Sequence, residues 1–188
     1  DTTGSTPIPV DEQGVPLCLK DEFKGNPNAM AWLWKDHTGF AEAGEITALA
    51  GQIRPDYLVK CGGTYSSEWF FSKIWHCLRS DKAVFDAAYT WVEHVDYMTG
   101  LLTGNTAPDV LKRCRCAAGH KAMYNDQWGG YPDSEFLSKL EPQLARIRRT
   151  LPGKTYPIDT SAGGLCADWA KRLGIPEVTA VAMGAFDA

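Results

Sequence analysis

The chain has 188 residues, enough for one globular domain with a sizeable core, and its 44% hydrophobic and 11% aromatic content reads as folded rather than disordered. A net charge of −4 argues against a nucleic-acid-binding surface, and no apolar run reaches membrane-spanning length. Nothing reads as a signal peptide, so a soluble protein of a reducing cytoplasm, partnered by neither nucleic acid nor membrane, is expected.

In chain order, Ile8-Pro9-Val10 and Val15-Pro16-Leu17 flank Asp11-Glu12-Gln13-Gly14 and predict a β-hairpin with edge prolines. A helix is predicted over 36–49, with Phe40, Ala43, Ile46, Ala48 and Leu49 as its apolar stripe. Ser66 or Ser67 caps a second helix running to Leu78, and Asp81 starts a short third with Val84, Phe85 and Ala88 inward. Thr90-Trp91-Val92 predicts a strand leading into a helix over 96–103 that Gly104 stops. Residues 113–130 lack periodicity and predict an irregular segment. Asp133 caps a helix interrupted at Pro142, and another spans 165–173, closed by Gly174. Val178 to Met183 predicts a buried strand.

Several residues carry candidate chemistry. Asp187 follows an apolar strand and a glycine, where α/β folds place reactive groups, although Asp also serves as a plain helix N-cap. Asp1-Thr2-Thr3-Gly4-Ser5-Thr6 is a small, hydroxyl-rich loop without the lysine or spacing of a P-loop; it is a ligand-approach loop or an ordinary turn. Trp32 and Trp34 alternate along an extended segment, so one can pack in the core while the other offers a flat face to a ligand; two core tryptophans are the alternative. Lys121 sits in the irregular segment and either donates to ligand hydroxyls or is merely solvated.

Six scattered cysteines do not read as a disulfide scaffold in a chain this long, and free thiols are expected. Cys114 and Cys116 with His120 lack a fourth ligand and make a poor zinc site, and His37, His76 and His94 show no metal-ligand pairing. The chain opens on Asp1 without an initiator Met and stops directly after an apolar run, so both ends are expected to be cuts from something longer.

Six blocks occur in order: Asp1-Thr2-Thr3-Gly4-Ser5-Thr6-Pro7, Asn26-Pro27-Asn28-Ala29-Met30, Leu33-Trp34-Lys35-Asp36-His37-Thr38, Tyr65-Ser66-Ser67-Glu68-Trp69, Ala118-Gly119-His120-Lys121 and Gly184-Ala185-Phe186-Asp187. Together they resemble the ribulokinase branch of the FGGY carbohydrate kinases, from one end of the chain to the other. The resemblance implies an α/β fold of two actin-like, ribonuclease-H-like domains around a cleft. Residues 1–188 would be the later part of the first, sugar-binding domain, helix-rich with a few strands. The phosphate-binding hairpin and the ATP-binding second domain would lie outside it.

The resemblance also implies the chemistry: transfer of the ATP γ-phosphoryl group to the 5-hydroxyl of L-ribulose, in L-arabinose breakdown. Asp187 matches the catalytic base, Lys121 a sugar-contacting lysine, and Thr3, Gly4 and Trp34 the lining of the sugar pocket, with Asp36, Tyr65 and Glu68 as neighbours. Mg-ATP would serve the full-length enzyme and find little to hold it here, leaving this stretch inactive by itself. Its partners would be the sugar and the rest of its own kinase chain. Two alternatives stand: a kinase for another pentulose or pentitol, and a non-catalytic binding module whose exposed strand edge favours a homodimer.

Overall fold

The computed structural model describes residues 2–187; Asp1, which begins the first block, and Ala188 lie outside them. Pro7–Val10 forms strand β1 and Thr90–Glu93 strand β2, antiparallel, with Ile8 opposite Val92 and Pro9 opposite Trp91. Every residue of both strands is buried. Prolines at 7 and 9 are tolerated because those positions face away from β2: the Pro7 carbonyl accepts from Trp32 N, while Thr6 and Val10 carbonyls take His94 N and Tyr89 N.

The expected hairpin forms only in part. Its turn exists, with Asp11 N donating to Val15 O and Gly14 N to Asp11 O, and Val10 bridges Pro16. Pro16 has no N–H to extend that ladder, and Leu17–Leu19 coils into a 3-10 turn, so β1 takes β2 as its strand partner. Gly14 is required there. Its φ is +79°, and a Cβ would meet the Thr106 carbonyl oxygen at 2.0 Å.

Helices are the commonest element among the described residues. Helix α1 (Phe40–Ile53) is followed by α2 (Pro55–Val59), α3 (Phe70–Ser80) and α4 (Lys82–Ala87). After β2 come α5 (His94–Thr103), α6 (Arg115–Lys121), α7 (Ser134–Leu140) and α8 (Leu144–Thr150), then strand β3 (Ser161–Gly164), α9 (Ala167–Leu173) and strand β4 (Ala180–Ala182). The main core joins Ile46 of α1, Phe71 and Trp75 of α3, Phe85 of α4, Trp91 of β2 and Phe136 of α7. The expected local signals operate: Asp81 accepts from Val84 N, Asp133 accepts from Phe136 N, and Gly104 ends α5 in the left-handed conformation.

Five further expectations are corrected. The first helix starts at Phe40, which is 75% exposed, and its inner face is Ala43, Ile46 and Ala50 together with Glu42. Neither Ser66 nor Ser67 caps α3; Trp69 occupies that position without a side-chain bond. The segment 113–130 contains α6, a helix too short to show a period, and the 165–173 helix begins only at Ala167. The strand predicted over 178–183 shrinks to β4, and it lies largely exposed against β3, with Val178 83% exposed. Strand β3 reads Ser-Ala-Gly-Gly and offers no large apolar side chain to bury it. Among the described residues no helix is long and apolar enough to cross a membrane.

Candidate functional site

The two ends of the described chain meet. Thr2 and Phe186 form a parallel bridge in which Thr2 N donates to Ala185 O at 3.1 Å and Asp187 N donates to Thr2 O at 3.2 Å. Gly4 then passes under the Phe186 ring, so closely that a Cβ at position 4 would meet Phe186 Cε1 at 2.1 Å. Phe186 packs on Val95, Cys114, Ala117 and Met183, which fixes the ring. Asp187 is exposed and is held by backbone bonds beside the strand that leads into Thr3 and Gly4.

Lys121 approaches the same ring from α6. Cys114 caps that helix by accepting from Ala117 N, and Ala117 and Ala118 are buried beneath it. Lys121 is therefore the last residue of an anchored helix, where a loop was expected. Its carbonyl accepts from the Tyr65 hydroxyl at 2.6 Å, and that hydroxyl in turn accepts from Phe71 N at 3.1 Å. Its ammonium lies 5.3 Å from the centre of the Trp69 ring and 5.8 Å from that of Phe186, within the range where aromatic faces attract a cation. Tyr65 is thus a buried strut, 3% exposed, beneath Lys121.

The tryptophan pair divides its work as the alternation allows. Trp32 is 6% exposed, donates from Nε1 to Asn28 O, and meets Trp91 edge-on. Trp34 is 46% exposed. Asp36 turns inward on its own loop, accepting from Thr38 N and Oγ1, while Glu68 pairs with His37 at 3.3 Å.

Beneath these loops lie two charged residues that sequence reading passed over. Lys73 of α3 is fully buried and donates to Leu33 O at 2.7 Å, to Ser5 O at 2.8 Å and, more weakly, to Trp32 O at 3.4 Å. Glu93, at the end of β2, accepts from Thr6 N at 2.7 Å and from the Ser5 hydroxyl. Burial lowers the Lys73 ammonium to about 8 against the attraction of Glu93, and burial pushes the Glu93 carboxyl up to about 7 against its Ser5 and Thr6 donors. The only hint in sequence is a lysine inside Phe70-Phe71-Ser72-Lys73-Ile74-Trp75 and a glutamate closing an otherwise apolar strand. Phe186 carries no signal of its own outside its motif block, and Trp69 none beyond its block and its place on the second predicted helix.

A groove of about 620 Å³ lies elsewhere, between residues 27–38 and α3, with Asn28, Leu33, Asp36 and His76 in its wall. Thr3, Gly4, Lys121 and Asp187 do not line it. Thr3, Gly4, Lys121 and Asp187 are thus brought near one ring, that of Phe186, with the Trp34 loop tied to the Gly4 loop through Lys73. Among the described residues no group of three or more His, Cys, Asp or Glu side chains is arranged to hold a metal ion, and the described cysteines are free thiols.

No protein-family model matches the chain. Over 188 residues it is 46% identical to the ribulokinase of Vibrio parahaemolyticus, covering all of this chain and 33% of that protein. The ribulokinase of Shouchella clausii is 39% identical over 189 residues, again 100% of this chain and 33% of its own length. The chain thus spans about a third of the curated relatives it matches. Among solved structures, a ligand-bound xylulose kinase from Lactobacillus acidophilus superposes with a TM-score of 0.68 at 18% identity, over 97% of this chain and 32% of that one. A Brucella ovis structure titled as a "xyloylose kinase" gives 0.67 at 18% identity, with the same coverage. At such identities the likeness is one of fold.

Proposed function

We propose, from the premise that this chain belongs to the ribulokinases and has the fold of FGGY-type, actin-like sugar kinases, that it forms the sugar-binding part of an ATP-dependent L-ribulose kinase. Residues 1–188 are read as the later part of the sugar-binding domain, and the remaining two thirds of such a kinase as its first partner. One relationship supports the reading above others: the Thr2–Phe186 bridge, around which Thr3, Gly4, the Lys121 ammonium and Asp187 gather.

In this reading Lys121 donates hydrogen bonds to sugar hydroxyls, the backbone at Thr3 and Gly4 approaches the sugar closely, and Trp34 covers a C–H face. Asp187 accepts the proton of the 5-hydroxyl as that oxygen attacks the γ-phosphorus. A new O–P bond forms, the bond to the bridging oxygen of ADP breaks, and the proton remains on Asp187 until it is released. Such transfers depend mainly on positioning and electrostatics. Mg-ATP belongs to the full-length enzyme in this reading, supplying the phosphoryl group and neutralising its charge, while these residues supply the base, the hydrogen bonds to the sugar and the aromatic face. Cytoplasmic location and a place in L-arabinose breakdown belong to the same proposal.

Calorimetric titration of the chain with L-ribulose and, separately, with Mg-ATP tests it. Sugar binding that Lys121→Met abolishes, with no heat from the nucleotide, is expected. Mg-ATP binding without sugar binding would overturn the reading.

A further inference from the structure

The buried Lys73 links two loops that are distant in sequence. Its three ammonium protons are spent on backbone carbonyls: Ser5 O in the first loop, and Trp32 O and Leu33 O in the second. Ser5 follows Gly4, and Leu33 precedes Trp34. Both walls of the candidate sugar site therefore hang from one nitrogen. Glu93 braces the first loop from behind, through Thr6 N and the Ser5 hydroxyl, and is the nearest opposing charge in effect; Asp36, Glu68 and Lys121 also act on the ammonium.

A buried ammonium is a costly way to fill space, and an apolar side chain of similar length would serve packing better. No carboxylate is bonded to Lys73; its partners are neutral carbonyls whose positions define the loops. Two short bonds and one longer one radiating from a single nitrogen fix two stretches of backbone relative to one another, which a pairwise contact would not do.

We propose that Lys73 is a positioning residue that clasps the Thr3–Gly4 loop to the Trp34 loop and so sets the spacing of the two sugar-contacting walls. The inference rests on the sugar-site reading above. Lys73 acts through the two loops and does not itself touch the sugar.

Hydrogen exchange on the chain, comparing wild type with Lys73→Met, tests the clasp without any substrate. Amides of residues 2–6 and 32–36 should both exchange at least tenfold faster, while those of α7 and α8 stay unchanged. Loosening of one loop alone, or of neither, would overturn it. In the full-length protein carrying this chain, Lys73→Met should raise the sugar KM about tenfold and leave the ATP KM within twofold, with Lys73→Arg partly restoring the sugar KM. An equal rise in both KM values would also overturn it. If the wild-type protein phosphorylates no sugar, the sugar-site reading fails, and the exchange experiment still decides the clasp. Should Lys73→Met not fold, Lys73→Arg, which keeps the charge but not the three-pointed reach, should speed exchange in both loops about threefold, and loosening of one loop alone or of neither would overturn the clasp.

Discussion

Gly4 lies against the face of Phe186 with no room for a Cβ, which would come within 2.1 Å of the ring. This contact, between residues 182 positions apart, closes the candidate site. Gly4→Ala should push the ring aside and destabilise the chain by about 1–3 kcal/mol, the usual cost of overpacking. A thermal melt reads the loss. Phe186→Ala should cost little more once Gly4→Ala is present, because the clash has gone, so a double-mutant cycle should be clearly non-additive.

The tryptophans separate site from core. Trp32 is buried among Trp91 and His76, and Trp32→Ala should cost about 3–5 kcal/mol in a denaturant melt. Trp34 is half-exposed, so Trp34→Ala should leave the melt within about 0.5 kcal/mol and weaken L-ribulose binding. Equal effects on stability would remove the distinction between a core and a surface tryptophan.

Tyr65 supports Lys121 through a single hydroxyl that both donates to the Lys121 carbonyl and accepts from Phe71 N. Tyr65→Phe leaves both groups unpaired in a buried place and should cost about 1–3 kcal/mol by urea denaturation. Retention of full stability would mean that α6 is anchored by Cys114 and its alanines alone.

Glu93 gives a pH signature. Its carboxyl is raised from 4.5 to about 7 in the folded chain, so the folded state keeps a proton that the unfolded chain gives up between those values. The stability this group contributes is complete below pH 4.5 and is lost as pH rises through about 7. Asp96, raised to about 6 by burial, acts in the same direction. Glu93→Gln, which imitates the protonated acid, should match wild type near pH 4.5 and become the more stable by on the order of 2–3 kcal/mol above pH 7. Parallel stability curves for the two proteins would contradict the assignment.

What sequence could reveal here was local. The caps at Asp81 and Asp133 and the stop at Gly104 depend on side chains and dihedral freedom within a few residues, and each operates as expected. The alternation of Trp32 and Trp34 allowed one inward and one outward ring but left two core tryptophans open as well, and only the fold decides between them. Helix α6 escaped because two turns give no period, and β4 was misjudged because its burial depends on what β3 offers 16 or more residues earlier. Lys73 and Glu93 escaped for a deeper reason. Their partners are backbone carbonyls, an amide and a hydroxyl brought near by the fold, which no spacing of residue types encodes. The site residues came from ordered motif blocks; their gathering around Phe186 came only with the three-dimensional arrangement.

The central claim is that Asp187, presented beside Thr3 and Gly4, takes the proton of the attacking sugar hydroxyl. The direct measurement is phosphoryl transfer from ATP to L-ribulose by the full-length protein carrying Asp187→Asn, alongside its sugar affinity. The account predicts turnover reduced by roughly a thousandfold or more, with the sugar dissociation constant changed less than about fivefold. Turnover within a few-fold of wild type would contradict it.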